Sequence, residues 1–233
     1  MKLGLLLQAE IDRLDSVAHA LGRSSAIGPD NLLEQIPYIE KFNEDYHRAY
    51  SNYLEAVLPQ QERNITCAAS CGNCCHHFPM SVEPFELVAL YLQLRKRSDF
   101  IEIMEGCENR TKIFDSLFKK NYEQLCSEDE SEDKSLHDYF SLWKPCMFSD
   151  HAGDCLIYPM RPVSCRMYFS QTSPAYCTPE YLQTEKNESY IVYMPDSIEE
   201  TLLSISAHYA MLDLPESFFG GLLCMNSFEG LLG

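Results

Sequence analysis

The sequence lacks long apolar runs and is poor in basic residues. No stretch of about eighteen consecutive apolar residues occurs, so we expect no membrane-spanning helix. Only 18 Lys and Arg stand against 35 Asp and Glu, which gives a formal net charge of −17. Nucleic acids and anionic membranes bind basic surfaces that replace their counterions, so we expect neither as a partner.

The sequence also lacks a recognisable export signal. Residues 1 to 7 form a short apolar run that briefly imitates one, but Gln8, Glu10 and Asp12 interrupt it. The run is too short for the apolar region of a signal peptide, and no cleavage site of small residues follows. We therefore expect the segment to begin a helix and the protein to be cytoplasmic.

Cysteine is abundant, with eleven residues in 233. Cytosolic reductants keep thiols reduced, so a disulfide-stabilised secreted protein is the least favoured interpretation. An odd number would also leave at least one thiol unpaired in any all-disulfide arrangement. Dense cysteine in a reducing compartment indicates metal or redox chemistry.

Apolar residues recur at three- and four-residue steps over much of the chain, which predicts a mainly helical fold. The first two expected helices are residues 7–21, ending at Gly22, and a helix from near Pro37 to before Pro59. A helix capped by Ser81, with Pro84 in its first turn, and helices near 99–106 and 110–126 are expected next. A capping box of Asp196 and Glu199 opens the last expected helix.

The remaining segments show little helical periodicity. Residues 64–80 and 136–180 are predicted to be irregular, and the acidic run 128–133 is predicted to be a solvated loop. Residues 191–193 are a candidate short strand. The apolar, glycine-broken tail from Pro215 either docks on the core or offers a surface to a protein partner.

The fold class that follows is a single compact, mainly α-helical domain spanning 1–233, in which two irregular cysteine-rich loops converge on a metal centre. Residues 1–63 are expected to supply N-terminal helices. Residues 64–180 are expected to form the cysteine-cluster core, and residues 181–233 the C-terminal helix and apolar tail.

The first cysteine cluster places four thiols within nine residues: Cys67, Cys71, Cys74 and Cys75. Close spacing on a loop lets several sulfurs reach one ion at a small cost in loop entropy. Two adjacent cysteines seldom serve one ion equally well. The Cys74–Cys75 pair therefore indicates either a polynuclear centre, or one ligand beside a structural or reactive thiol.

The second cluster comprises Cys146, Cys155, Cys165 and Cys177. Four thiolates complete a tetrahedral zinc site or hold an iron–sulfur cube, so one shared centre and two separate centres are both open. All-thiolate ligation suits zinc and iron alike. The adjacent pair and the spare cysteines slightly favour iron–sulfur chemistry.

Several neighbours of these cysteines carry relevant chemistry. His76 and His77 follow Cys75 directly, but such histidines more often support ligands than ligate. Arg161 and Arg166 bracket Cys165, where guanidinium groups would offset thiolate charge.

The three cysteines outside the clusters have helical or apolar surroundings in the sequence. They are expected to be small buried hydrophobic residues: Cys107, Cys126 and Cys224.

The two clusters together resemble the YkgJ-type cysteine-cluster family, described as a CxxCxxCC domain that chelates zinc or iron. The first motif is C-A-A-S-C-G-N-C-C at 67–75, followed by M-S-V-E-P-F-E at 80–86. The second runs from Cys146 through C-L-I-Y-P-M-R-P-V-S-C-R at 155–166. One departure is the first spacing, which has three residues here and two in the family.

The resemblance implies metal binding without naming the metal or a reaction. A structural or regulatory centre is the leading hypothesis. The alternative is an iron–sulfur enzyme that modifies a protein, such as an S-adenosylmethionine-dependent lysine N-methylase-like activity, although no glycine-rich S-adenosylmethionine motif is present. Such an enzyme needs a pocket beside the centre, and its expected cofactor-binding residues are Tyr158, Arg161 and Arg166.

Overall fold

The protein is described by a computed structural model that covers residues 2–21, 26–60, 64–67, 71–150, 152–182 and 184–232. Seven α-helices and one two-stranded sheet occur in these ranges, which confirms the mainly α-helical fold. They are α1 (Lys2–Leu21), α2 (Leu32–Val57), α3 (Pro84–Leu94), α4 (Phe100–Leu125), α5 (Glu128–Ser141), β1 (Tyr168–Ser170), β2 (Ser189–Ile191), α6 (Asp196–Ala207) and α7 (Phe218–Ser227).

Helix α3 lies at the centre, between α2 and α7. Nine of its eleven side chains are buried, so it has no polar face of the kind that a surface helix shows. Helix α1 packs on α2 and α6, and α4 packs on α5 and α7. One hydrophobic core includes buried residues from all seven helices, although the single-domain organisation itself stays a prediction.

The N-terminal helix forms as expected, with Leu14 and Ala18 fully buried on its inner face. Its predicted end, Gly22, lies outside the described residues. Among the described helices, none is long and apolar enough to cross a membrane.

Helix α2 begins at Leu32 and not near Pro37, which lies inside it. Asn31 fixes this earlier start, since its side chain accepts from the Gly28 N–H at 2.9 Å and donates to the Ala26 carbonyl at 2.9 Å. Leu32 is fully buried, which anchors the first turn. Pro37 is the sixth residue of α2, beyond the first turn in which proline is tolerated, so it does not mark the start of this helix.

Helix α3 is capped by Glu83 and not by Ser81. Glu83 and Glu86 form the capping box, and Pro84 occupies the first turn as expected. Ser81 has a φ of 54°, which is incompatible with a cap residue in extended conformation.

One continuous helix, α4, replaces the two helices expected near 99–106 and 110–126. Gly106 lies in its middle, where a Cβ would stand 2.4 Å from the Met147 methyl group. The glycine therefore permits a close contact with the second cysteine loop and does not end the helix. This is tertiary packing that the local sequence does not reveal.

The acidic run 128–133 begins helix α5 and is not a loop. Three of its carboxylates, Glu128, Asp129 and Glu130, lie in the first turn, where they interact favourably with the helix dipole. Ser131 and Ser135 are buried against α4, and the Asn121 side chain donates to the Ser135 hydroxyl at 3.0 Å.

The expected strand and the last expected helix start are each displaced. Strand β2 is Ser189–Ile191 and pairs antiparallel with β1, whereas 191–193 was expected. Helix α6 begins at Asp196, but Pro195 occupies the cap position and the predicted capping box does not form.

The apolar tail docks on the core as helix α7, with Phe218, Phe219, Leu222 and Met225 buried. A Cβ at Gly221 would lie 2.4 Å from Leu87, so the glycine allows α7 to approach α3 closely. A protein partner bound through this tail stays a prediction.

Candidate metal centre

The two cysteine-rich loops meet, although about seventy residues of sequence separate them. The Cys146 N–H donates to the Cys75 carbonyl at 2.7 Å. A Cβ at Gly72 would stand 3.2 Å from the Gly153 carbonyl oxygen, so the backbones are in close contact there. The expected convergence of the two loops is confirmed.

The first loop places its adjacent cysteines in a short 3-10 turn, Asn73–His76. The turn is closed by the Cys75 N–H, which donates to the Gly72 carbonyl at 3.0 Å. The neighbouring Cys75 thiol is the main cause that raises the pKa of the Cys74 thiol, whose side chain is exposed at the surface. The two adjacent thiols therefore act on each other directly.

The second loop forms a tight hairpin between Cys146 and Cys155. Ser149 and Cys155 form an isolated antiparallel bridge. The Asp150 carboxylate accepts from the Ala152 N–H at 2.8 Å and from the Asp154 N–H at 2.9 Å, which fixes the bend. Such Asx-type hydrogen bonds are typical of aspartate in turns.

Backbone N–H groups are directed at two sulfurs of this hairpin. The Phe148 N–H donates to the Cys146 thiol and the Ile157 N–H to the Cys155 thiol, and each interaction lowers the thiol pKa. Burial is the larger effect in both cases, and it raises the pKa of Cys146 to about 11. Donors of this kind stabilise a thiolate once it forms and are common around metal-bound ligands.

Five thiols from the two loops interact electrostatically, and we call them the inner thiol group. Its members are Cys74, Cys75, Cys146, Cys155 and Cys165. After burial, the strongest effect that raises the pKa of Cys165 is the neighbouring Cys146. Mutual repulsion of this kind disfavours several thiolates together unless a cation compensates them.

The other three candidate ligands lie to one side of this group. Cys67 interacts electrostatically with Cys71, Cys74 and Cys177, and its sulfur accepts from the Ser170 N–H at 3.1 Å. Strand β1 thus holds Cys67 in place. Cys74 is the thiol that interacts with both sets.

The donor set fits zinc or iron, because clustered sulfur ligands with N–H donors and a nearby guanidinium suit either ion. The described thiols lie near one another, but their sulfurs do not surround a single point. In the described part of the chain, no three His, Cys, Asp or Glu side chains are arranged as they would be around a bound ion. Ligation therefore requires side-chain rotation or a small closure of the loops.

The two arginines that bracket Cys165 have different surroundings. Arg161 interacts electrostatically with Cys74, Cys155 and Cys165, and in each case it lowers the thiol pKa. Arg166 instead interacts mainly with Arg161, Tyr158 and Glu86. Arg161 is therefore the arginine that offsets thiolate charge as expected.

The expected cofactor-binding residues are divided in the same way. The Arg161 guanidinium carbon lies 4.4 Å from the centre of the exposed Tyr158 ring, in a cation–π contact. Arg166 lines an open pocket with Pro159 and Met160. Cofactor binding by these residues stays a prediction.

A buried carboxylate supports the turn that carries Cys165. Glu86 is 2% exposed, and its Oε1 accepts from His47 Nε2 at 2.8 Å and from the Val163 N–H at 2.9 Å. Val163 begins the 3-10 turn Val163–Cys165. Glu86 thus joins α2 and α3 to the second cysteine loop.

Sequence reasoning missed His47 altogether and noted Glu86 only as part of the first motif. The position of Glu86 within the first motif was the sequence signal that could have identified it. His47 has no local signal, since it lies 39 residues from its partner in an ordinary helical stretch.

The two histidines after Cys75 are occupied by aromatic stacking. The His76 ring stacks on Trp143 at 3.8 Å between centroids, and the His77 ring stacks on Phe140 at 4.0 Å. Burial lowers the pKa of His77 to about 4, so it is neutral at pH 7. These contacts favour a packing role.

Of the three cysteines outside the clusters, only Cys107 is fully buried as expected. Cys224 is half-buried. Cys126 is exposed and ends helix α4 with a φ of 53°, so the expectation of a buried residue was wrong there. A helix terminus in left-handed conformation lies at the surface, where its last carbonyl groups meet water.

Comparison with protein families gives one match. The CxxCxxCC model, described as a putative zinc- or iron-chelating domain, matches residues 66–190, which is more than half of the chain. The matched range contains all eight candidate cysteines and also Glu86. Neither the curated proteins nor the solved structures give a match. The chain therefore belongs to the CxxCxxCC family of zinc- or iron-chelating domains.

Proposed function

We propose that the chain holds iron, as ions or as an iron–sulfur cluster, or zinc on its clustered thiols, and that the centre is structural or regulatory. The observation that carries this proposal is the meeting of the two cysteine loops, whose backbones are hydrogen-bonded at Cys75 and Cys146 and whose inner thiols interact electrostatically. A bound cation would replace the thiol protons and remove the repulsion among them.

The inner thiol group supplies the first candidate ligands, and Arg161 offsets part of the negative charge of the resulting centre. Cys67, Cys71 and Cys177 would complete a polynuclear centre or hold a second ion through the shared Cys74. Free thiols in this number require reducing surroundings, which supports a cytoplasmic location.

The experiment that tests this proposal compares serine variants of clustered and unclustered cysteines. The metal-to-protein ratio of anaerobically purified Cys146→Ser and Cys165→Ser should fall well below that of the parent. The matched controls Cys126→Ser and Cys224→Ser should keep the full ratio. Equal ratios in all four variants would overturn the assignment of the ligands.

The absorption spectrum separates the two metals. An iron–sulfur cluster gives broad absorption near ~400 nm together with iron and inorganic sulfide. A zinc centre is colourless. The adjacent Cys74 and Cys75, whose thiols interact directly, favour the polynuclear alternative.

The second candidate function is an iron–sulfur enzyme that modifies a protein substrate. The observation that favours it is the open pocket at Arg166, the residue next to Cys165. Catalysis needs an open coordination position, so Cys74→Ser and Cys75→Ser separate the two functions. A variant that folds and keeps its metal but loses the cellular phenotype indicates chemistry, whereas unfolding of both variants indicates a structural centre.

A further inference from the structure

One face of helix α4 holds the segment that carries Cys146 into the inner thiol group. Gly106 and Arg110 are four residues apart, so they lie on the same face of this helix. Gly106 makes the close contact with Met147 described above, and the Cys107 thiol donates to Met147 Sδ at 3.5 Å. The segment is therefore anchored on α4 directly after Cys146.

Arg110 holds the same segment directly before Cys146. Its Nη1 donates to the Lys144 carbonyl at 3.3 Å, and its Nη2 donates to the Pro145 carbonyl. Both acceptors lie beyond the last residue of α5, so the guanidinium does not serve to cap that helix. Nη1 also donates to the hydroxyl of the buried Tyr139 at 3.1 Å, which fixes the position of the arginine side chain.

The backbone at Cys146 is thus held on two sides. Its N–H donates to the Cys75 carbonyl of the first loop at 2.7 Å, while the two carbonyls before it accept from Arg110. A planar guanidinium presents its N–H groups in fixed directions, so it can hold two neighbouring carbonyls at once. A lysine ammonium on its flexible stem would hold them less firmly.

The positive charge of Arg110 also faces this segment. Its acceptors are neutral oxygens, and no carboxylate in the described part of the chain forms an ion pair with it. Burial raises the pKa of the Cys146 thiol, and Arg110 opposes that effect. Arg161 acts in the same direction on three other members of the inner thiol group. The two arginines therefore serve different thiols of one group.

We propose that Arg110 is a positioning residue of the metal centre, which holds the backbone of Cys146 at the inner thiol group and places a positive charge beside its thiolate. The inference rests on the proposed function, in which Cys146 is a ligand. Residues that orient a ligand without touching the metal typically change metal affinity about 10–100-fold.

The test titrates the full chain with Co²⁺ after anaerobic removal of its own metal. Co²⁺ takes the same sulfur ligands as zinc or iron, and its thiolate complexes absorb light, so the absorption reports ligation by sulfur. Arg110→Gln should weaken Co²⁺ binding about tenfold or more. Arg110→Lys keeps the charge and should recover part of the affinity. In the Cys146→Ser background, Arg110→Gln should have little further effect, because Arg110 acts through Cys146.

The matched control is Lys112→Gln, which removes a positive charge from the same helix at an exposed residue that pairs with Glu108. It should leave Co²⁺ binding unchanged. Amide exchange at Cys146, measured on the proteins as purified, follows the position of the loop whether or not a metal is bound. Arg110→Gln should speed this exchange, and Lys112→Gln should not.

The outcomes separate this inference from the proposed function. A parent protein that binds no Co²⁺ overturns the proposed metal centre, and the exchange comparison still decides the role of Arg110. That role is overturned if the Cys146 amide is unprotected in the parent, if Arg110→Gln leaves its exchange unchanged, or if Arg110→Gln weakens Co²⁺ binding equally with and without Cys146. Should Arg110→Gln fail to fold, Arg110→Lys decides by the same two comparisons.

Discussion

The helices and the cysteine-rich loops of this protein are held together by different forces. Nine of eleven side chains are buried in α3, whereas none is buried in the Asn73–His76 turn that carries Cys74 and Cys75. Burial of apolar surface stabilises the helices without help from any ligand. The loops insert single apolar side chains into the core, such as Phe148 and Ile157, and are otherwise held by scattered backbone hydrogen bonds. We therefore expect the order of their cysteine-bearing turns to depend on the bound metal.

Glu86 is a buried polar link between the two regions. Its carboxylate links α2, α3 and the turn that carries Cys165. Substitutions in the core and substitutions in the loops should therefore have separable effects, and a substitution of Glu86 should affect both regions.

Metal removal should give the largest effect, and it should be confined to the loops. An anaerobic chelator should remove amide-exchange protection from residues 71–80 and 142–182 while α2 and α3 keep theirs, because structural metal sites contribute folding free energy. Trp143 is the single tryptophan and stacks on His76, so its fluorescence should change at the same chelator concentration. Equal loss of protection in helices and loops would refute the division.

A cavity in the core should lower the free energy of unfolding and leave metal binding unchanged. Leu202→Ala, at a position 2% exposed in α6, should lower the free energy of unfolding by about 2–5 kcal/mol. The neighbouring Leu203, 73% exposed, is the control, and Leu203→Ala should change it by less than about 0.5 kcal/mol. Denaturant unfolding measures both, and the metal-to-protein ratio of the folded fraction should stay at the parent value.

Replacement of Glu86 should affect both regions. In Glu86→Gln an amide N–H replaces a carboxylate oxygen and must face a hydrogen-bond donor. This should destabilise the fold by about 1.5–3 kcal/mol and weaken metal retention against chelator. Glu40→Gln is the control, because Glu40 accepts one hydrogen bond from Gln93 at 3.0 Å and otherwise pairs only with the exposed Lys96, at 3.9 Å, among the described residues. Full metal retention in Glu86→Gln would show that Glu86 does not position Cys165.

The smallest effect is a pH dependence at Glu83. Burial raises the pKa of this carboxyl to about 7, although its hydrogen bond from Ser206 opposes the shift. Since the folded pKa exceeds the unfolded value, the stabilising contribution is full below pH ~4.5 and is lost as the pH rises to about 7. Glu83→Gln should remove this slope, which is on the order of 3 kcal/mol for a fully buried carboxyl and smaller for Glu83, because its side chain is partly exposed. Parallel stability curves for the two proteins would contradict it.

The amphipathic helices were predictable because their signal is local. Leu14 and Ala18 in α1 and Leu202 in α6 recur at helical spacing, and all three are buried. The acidic run and the continuity of α4 were not predictable in the same way. There the deciding contacts are tertiary: Ser135 packs against α4, and Gly106 against Met147.

The convergence of the two cysteine clusters was predictable, because cysteine is rare and its spacing carries chemistry. The different surroundings of Arg161 and Arg166 were not predictable, since they depend on the direction in which each side chain leaves the loop. His47 was also hidden, because its partnership with Glu86 arises only when two helices pack.

The most direct test of the central claim is elemental analysis of the native protein, purified without oxygen or chelator. The account predicts iron or zinc in stoichiometric amount, with at least one ion per chain. A folded, monodisperse protein that contains neither metal would contradict it.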